Sequence, residues 1–489
     1  MPAQTVRDGA VRRRSWQLRN LGGWPAMLTG SLALAAASIP LLPDDIGYDP
    51  YSWAIWGREI AHLHLDTRDA ATSVKPLPML FDTIFAPAGT HIPGCWMYVA
   101  RAATILLFAI IFRTARRLGG VPAGAIAVAA MAASNALFGY LFLRGMSEPM
   151  AAAAMLAAVD CFLLRRYKAT TGCLIAAAYL RPEAWPVLFV FLLWRAWPHS
   201  WTRRVVAFVV GAFVPFSWFL IDWFGARQFN RSAQAAQHQS QGGPLLHRYP
   251  GLATFTETWK LASGPVVVLF LVGLVASVVV WWRSGHSLDP AKLAPPVIVS
   301  LIALVWVVID AILAQGHLAT GAPRYLLPGE ALACVTVGWV VVVGARWLRR
   351  RAHAGVGVGR ATTSAAVVLV VALLSPWLVT VGRQVHTGVN EGRENLRDAA
   401  HLDAAIRLGG GREPIARCGA VTTSIYAVPL LAWKLDVTLD HVGISVTAPG
   451  TVVQQGTRPV VAPPTADQFQ EVVDGTGTSV TPWSIYTTC

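Results

Sequence analysis

The stretch DDIGYDPYSWAIWGREI, Asp44 to Ile60, sets Asp44, Asp45, Asp49 and Glu59 among large aromatics directly after the first apolar run. Further along come Lys75 in SVKPLPML, Arg101, Arg144 and Glu148 in LRGMSEP, Arg181 and Glu183 in LRPEAW, Asp222, Asp310, and Arg324-Tyr325 in GAPRYLLPGE. A charge at membrane depth costs about 2.5 to 3.5 kcal/mol on insertion scales, so charges retained there usually serve a purpose. An acid, several cations and an aromatic entrance suit transfer of a group from a lipid-phosphate donor. The carboxylate takes the proton of an attacking hydroxyl, and Arg and Lys neutralise the phosphate that leaves.

The elements that must position these residues are set by composition. The chain has 489 residues, 54% hydrophobic and only 13% charged, which exceeds what a soluble core requires. Apolar runs able to cross about 30 Å of hydrocarbon fall near 24–42, 96–112, 121–141, 148–164, 169–180, 184–197, 205–224, 262–282, 296–314, 326–345 and 361–382. The expectation is an α-helical polytopic membrane protein of about eleven spans. With the N-terminus inside, the cytoplasmic segments hold Arg12 to Arg14, Arg116, Arg117, Arg165, Arg166 and Arg349 to Arg351, joined by only Asp8, Asp160 and Asp289 among the acids. The net charge of +14 is thus a topology signal, and no nucleic-acid partner is implied. Residues 24–42 also resemble a signal peptide, but the run is long and further spans follow.

The basic N-terminus covers 1–23, the membrane domain 24–382 with external segments 43–95 and 225–261, and an external domain 383–489. The first external segment reads as a helix lying in the membrane interface on its aromatic face. The second is Gln-rich and without period, which reads as a mobile loop. In the tail, ENLRDAAHLDAAIRL is helical, GGG breaks it, and IARCGAVTT and HVGISVT resemble strands, giving a small α/β domain. Cys418 and Cys489 both fall there, in an oxidising space, and a disulfide between them would close the segment. His62 and His64 lie on different helix faces, so a divalent metal is not supported by spacing and no cofactor is required.

The order Asp49, Tyr51, then GREI, then Lys75-Pro76-Leu77-Pro78 resembles the Asp-Glu…Tyr…Arg-Glu-Met…Lys-Pro-Pro-Leu pattern of GT-C glycosyltransferases, most closely the protein O-mannosyltransferase and lipid A aminoarabinose transferase families. PRYLLP is similar to an Arg-Tyr-hydrophobic-Pro segment that starts a late span in many such enzymes. The resemblance implies a GT-C-like fold, Asp49 as catalytic base, and Lys75 and Arg324 beside the lipid phosphate. Tyr325, Arg58, Glu59, Glu148, Arg181 and Glu183 join them as substrate-binding candidates. The chain has Pro50 where the pattern has a second acid, which leaves Asp44 and Asp45 as rival bases.

Each site residue also has a plainer reading. Asp44 and Asp45 can cap a helix after the first span, and Asp49 can be an N-cap with Pro50 in the first turn. Arg58 and Glu59 can be ordinary interfacial charges, Lys75 a snorkelling residue, and Arg181 and Glu183 a pair bracing a re-entrant turn. The expected function is transfer of a sugar from a polyprenyl-phosphate donor to an envelope glycan or glycolipid on the external face of a bacterial plasma membrane. A transporter or flippase for envelope lipids, or a scaffold that has lost catalysis, are the alternatives. Transport predicts ionisable residues through the full membrane depth, whereas here they crowd one side.

Overall fold

A computed structural model describes residues 23–68, 72–134, 137–238, 244–283, 293–351, 356–456, 470–473 and 482–489. The basic N-terminal segment up to residue 22 and Asp289 lie outside the described residues. Six described stretches are long and apolar enough to cross a membrane: Pro76–Gly119, Trp201–Ala226, Gly264–Arg283, Pro295–Gln315, Pro323–Arg351 and Val368–Leu408. The other expected spans are shorter helices, which is why length and composition alone mark six and not eleven.

In chain order the helices are α1 (Gly23–Ser38), α2 (Tyr48–Ala61), α3 (Pro76–Phe85), α4 (Ile92–Gly119), α5 (Val121–Ala132), α6 (Leu137–Leu143), α7 (Glu148–Leu163), α8 (Tyr167–Ala178) and α9 (Ala184–Ala196). There follow α10 (Trp201–Ala226), α11 (Arg231–His238), α12 (Pro250–Leu261), α13 (Gly264–Arg283), α14 (Pro295–Gln315), α15 (Leu327–Arg351), α16 (Val356–Leu408), α17 (Arg412–Arg417) and α18 (Val428–Leu435). The stretch through α15 is the centre of the bundle, with 89% of its apolar window buried against 11% for α16. Helices α4, α5, α7, α13 and α14 pack around it, joining Leu107, Ile126, Met155 and Leu332 in one core. A Cβ on Gly338 would lie 2.3 Å from the Ala123 carbonyl oxygen, so only glycine lets α15 pass α5 this closely. Ser277, Ser300 and Thr336 link α13, α14 and α15 through hydroxyl contacts of 3.0 and 3.1 Å.

The segments expected to be external are more structured than periodicity indicates. Residues 225–261, expected as a mobile loop, hold α11 and α12. Asp222 explains the order: its carboxylate accepts from the Ser232 backbone at 2.9 Å and the Ser232 hydroxyl at 2.6 Å, fastening α11 to α10. Helix α2 also departs from the expected interfacial placement. Trp53, Ile55 and Trp56 are fully buried within the protein, and Gly57 lies so close to α3 that a Cβ there would be 2.5 Å from Asp82 Cβ.

The last apolar run and the helical tail segment form one continuous helix, α16, of 53 residues, about 80 Å long at 1.5 Å per residue. It ends at Leu408 where Gly410 and Gly411 adopt φ of +91° and +100°, conformations that L side chains avoid. Beyond it lies a five-stranded sheet in the order β2-β1-β3-β5-β4, from β1 (Ala420–Thr422), β2 (Val442–Gly443), β3 (Gly450–Gln455), β4 (Gln470–Val473) and β5 (Trp483–Thr487). Strand β1 runs parallel to β2 and β3, whereas β5 is antiparallel to β3 and β4. Cys418 and Cys489 are joined by a disulfide. The core of this C-terminal part is continuous with that of α2: Trp53 and Trp56 belong to the same buried cluster as Ile406, Leu431 and Ile485.

Candidate active site

Asp49 sits in the first turn of α2, not at its cap. Gly47 is the N-cap residue, and its backbone N–H donates to the Arg144 carbonyl at 2.8 Å. A carboxylate in a first turn is favoured by the helix dipole. Asp49 is 7% exposed, and its carboxylate faces Arg324 Nη2 at 3.7 Å. That separation exceeds a hydrogen bond, so Arg324 leaves the oxygens free to accept one from a ligand.

Arg324 connects Asp49 to a buried cluster of charges. Its Nε lies 3.8 Å from Glu148 Oε1. The same oxygen receives Lys75 Nζ at 3.2 Å and Arg181 Nη1 at 3.4 Å. Arg181 also donates to Glu183 at 3.0 Å, and its guanidinium stacks on the Tyr325 ring at 3.5 Å. Lys75 is further held by the Ser147 hydroxyl at 2.8 Å and lies 4.8 Å over the Trp53 ring. Local structure puts these groups at element ends: Lys75 is the N-cap residue of α3 ahead of Pro76, Ser147 is the N-cap residue of α7, and Glu148 opens α7. The second oxygen of Glu148, Oε2, is buried and has no hydrogen-bond partner. Three cations thus converge on one carboxylate, an arrangement that can hold a phosphate by charge-assisted hydrogen bonds.

A cavity of about 460 Å³ opens beside the cluster, lined by Lys75, Arg181, Glu183 and Tyr325 on one side and by Trp185, Trp218, Phe219 and Leu313 on another. Its polar rim includes Asp222 and Ser232. Ser232 also accepts from the Val74 backbone at 3.0 Å, and its carbonyl accepts from Ser73 at 2.9 Å. The link fixes the chain just before Lys75. Sequence reasoning missed Ser147 and Ser232, because a serine carries no signal of its own; Asp222, a charge at membrane depth, was the visible clue. An apolar groove of about 290 Å³ runs between α9 and α14 and shares Pro186 with the cavity.

The remaining sequence candidates stand apart from this cluster. Asp44 is exposed. Asp45 is ion-paired to Arg144 and accepts from Asn395 of α16 at 2.9 Å, so it ties three elements together and caps no helix. Arg101 donates to the Ser38 carbonyl at 3.2 Å and to the Pro43 carbonyl, closing the end of α1. Arg58, at the far end of α2, pairs with Asp436 and donates to the Val437 carbonyl at 3.0 Å. Glu59 accepts from the Asp66 backbone at 2.9 Å, and burial pushes its carboxyl up to about 7. Among the described residues, no three His, Cys, Asp or Glu side chains are grouped as a metal ion would need.

No protein-family model matches the chain, and no curated protein matches it. Among solved structures, the chain is similar to ArnT from Cupriavidus metallidurans bound to undecaprenyl phosphate, at 14% identity and a TM-score of 0.50, with 96% of this chain and 98% of that one covered. The apo state of the same ArnT aligns at 14% identity and a TM-score of 0.50, covering 94% and 98%. An oligosaccharyltransferase from Archaeoglobus fulgidus, tethered to an acceptor peptide, aligns at 11% identity and a TM-score of 0.49, covering 88% and 64%. The ArnT alignments span nearly the whole of both chains, so the GT-C-like fold implied by the sequence resemblance is the fold observed.

Proposed function

We propose that the chain is a membrane glycosyltransferase that moves a sugar from a polyprenyl-phosphate donor to a hydroxyl of an envelope glycan or glycolipid on the external face. The observation that carries this reading is the convergence of Lys75, Arg181 and Arg324 on Glu148 beside the cavity, with Asp49 on the other side of Arg324. The lipid in the first ArnT structure, undecaprenyl phosphate, is of the class of lipid phosphate that the proposed donor would release.

In this mechanism the donor phosphate enters among Lys75, Arg181 and Arg324, and its isoprenoid tail follows the apolar groove between α9 and α14. Asp49 accepts the proton of the acceptor hydroxyl. The oxygen attacks the anomeric carbon from the side opposite the phosphate, forming one C–O bond with inversion. The bond from the anomeric carbon to the phosphate oxygen breaks, and its electron pair leaves with the polyprenyl phosphate. The charge that develops on that phosphate is neutralised by the three cations, whose contacts with Glu148 loosen as it does so. Asp49 is preferred over Glu148 as base because three cations engage the Glu148 carboxylate, whereas among the described cations Asp49 faces Arg324 alone, at 3.7 Å. Asp45 is committed to Arg144.

The test uses membranes containing the full chain and a panel of radiolabelled polyprenyl-phosphate sugars. Asp49→Asn is expected to lower transfer by about 10² to 10⁴, the range of a general base, with the thermal transition unchanged. Full transfer by that variant removes Asp49 as base. Absence of transfer by the wild-type chain with every donor in the panel turns the reading toward a transporter.

A further inference from the structure

A second cavity, of about 680 Å³, lies between the end of α2 and the C-terminal domain. Its volume falls within the roughly 300 to 1,000 Å³ of small-molecule sites. One wall is Arg58 and His62 with Gly89; the other is Arg407 and Arg412, and α18 with Trp433, Lys434 and the following Asp436. The charges are unequal. The acids in the wall are each engaged, Asp436 by Arg58 and Asp403 by Lys434. Arg407 and Arg412 are exposed and, among the described residues, no carboxylate pairs with either. His62 adds a donor or acceptor: its Nδ1 is 2.8 Å from the Arg58 carbonyl, which can only accept, so Nδ1 carries the proton and Nε2 is left to accept.

We propose that this cavity binds an anionic oligosaccharide, a sugar chain bearing carboxylate or phosphate groups, and that it serves as an acceptor subsite. Three features select that ligand. Arg407 and Arg412 supply guanidinium forks for an anion. Trp433, which lines the cavity with the Arg58 guanidinium 5.2 Å from its ring, supplies an aromatic ring against whose face sugar C–H groups pack. The engaged acids and His62 offer acceptors to sugar hydroxyls. Open space beside Gly89 and Gly411, where a Cβ would meet nothing within 4 Å, leaves room for a ring.

The acceptor role rests on the glycosyltransferase reading. Asp49 and Arg58 belong to the same helix and stand about 14 Å apart along its axis. An oligosaccharide spans that distance, so its reacting hydroxyl can lie at Asp49 while its body is held at Arg58. A single sugar cannot do both.

The experiment measures binding by calorimetry to the full chain in neutral-lipid nanodiscs. The probes are tetragalacturonate, neutral maltotetraose as control, and vesicles of phosphatidylglycerol. Tetragalacturonate is expected to bind at least tenfold more tightly than maltotetraose. The double variant Arg407→Gln/Arg412→Gln, altered only at exposed positions, is expected to lose at least tenfold, and Trp433→Phe to bind less tightly than wild type. Equal binding of both oligosaccharides, or no effect of the two arginine changes, overturns the proposal. Arginine-dependent binding of the vesicles without binding of tetragalacturonate overturns it in favour of a lipid headgroup. Retained binding by a chain that transfers no sugar from any donor keeps the glycan site and removes only its acceptor role.

Discussion

At its start, α2 turns Asp49 toward Arg324 in a cluster where Lys75, Glu148 and Arg181 side chains are 7%, 1% and 4% exposed. At its end it turns Arg58 toward Asp436, whose side chain is 60% exposed. The difference is one of solvent. Water screens the pair at Arg58, and such pairs are worth about 0 to 1 kcal/mol. In the cluster each charge has lost hydration that its neighbours only partly replace, and apolar residues of similar volume would often serve stability as well or better. Stability alone gives the cluster no clear advantage, in keeping with its proposed role in holding a ligand's charge. The far end of α2 instead joins parts of the chain: Arg58 and the buried tryptophans pack the helical bundle against the C-terminal domain.

Three substitutions test this contrast. The largest effect is expected from Glu148→Gln, which leaves three cations without their common anion. It should destabilise the membrane part by about 3 to 5 kcal/mol, measured as loss of the folded fraction in detergent on heating, and added undecaprenyl phosphate should restore part of the loss. A variant as stable as wild type would mean that the cluster is not held by Glu148. Next, Cys418→Ser opens a loop of 71 residues and should cost about 2 to 4 kcal/mol, seen as earlier proteolysis of the C-terminal domain. Unchanged proteolysis would make the core shared with α2 sufficient on its own.

The smallest effect concerns Glu59 at the far end. Its carboxyl is raised by burial from 4.5 to about 7, so the folded state binds the proton more tightly than the unfolded one. The resulting stabilisation is complete below pH about 4.5 and is lost as pH rises through about 7. The wild-type transition temperature should fall between pH 5 and pH 8, and Glu59→Gln, which keeps a neutral acceptor for the Asp66 amide, should flatten that fall. Equal slopes for the two proteins would assign the dependence to another group.

Much of the fold was legible. The long apolar runs at 96–112, 205–224, 262–282, 296–314 and 326–345 each lie inside a helix, to within two residues at either end, because twenty apolar residues leave little alternative to a helix in or beside lipid. The tail was legible for the same kind of local reason: Gly409 to Gly411 stop α16, and IARCGAVTT and HVGISVT contain β1 and β2. Less legible were contacts made over long sequence distances. The segment 225–261 carries no periodic signal, and its order comes from Asp222 and from the backbone near Val74. The aromatic face of α2 suits a membrane interface and a protein core equally well, and only its neighbours Trp96 and Ile406 select the core.

For the candidate site, the residue types at Asp49, Lys75, Glu148, Arg181 and Arg324 were written in the sequence, since charges in an apolar chain are conspicuous by their cost. Their partners were not. Whether Asp45 or Asp49 faces the cations, and whether Glu148 holds one cation or three, depends on the angles at which helices distant in sequence cross. Those angles are set by the packing of surfaces such as Gly338 on Ala123, which no local pattern encodes. The sequence by itself determined that a set of charged groups is retained in an apolar chain; tertiary packing decided which of them meet, which acid stands beside the cations and which are spent on holding the protein together.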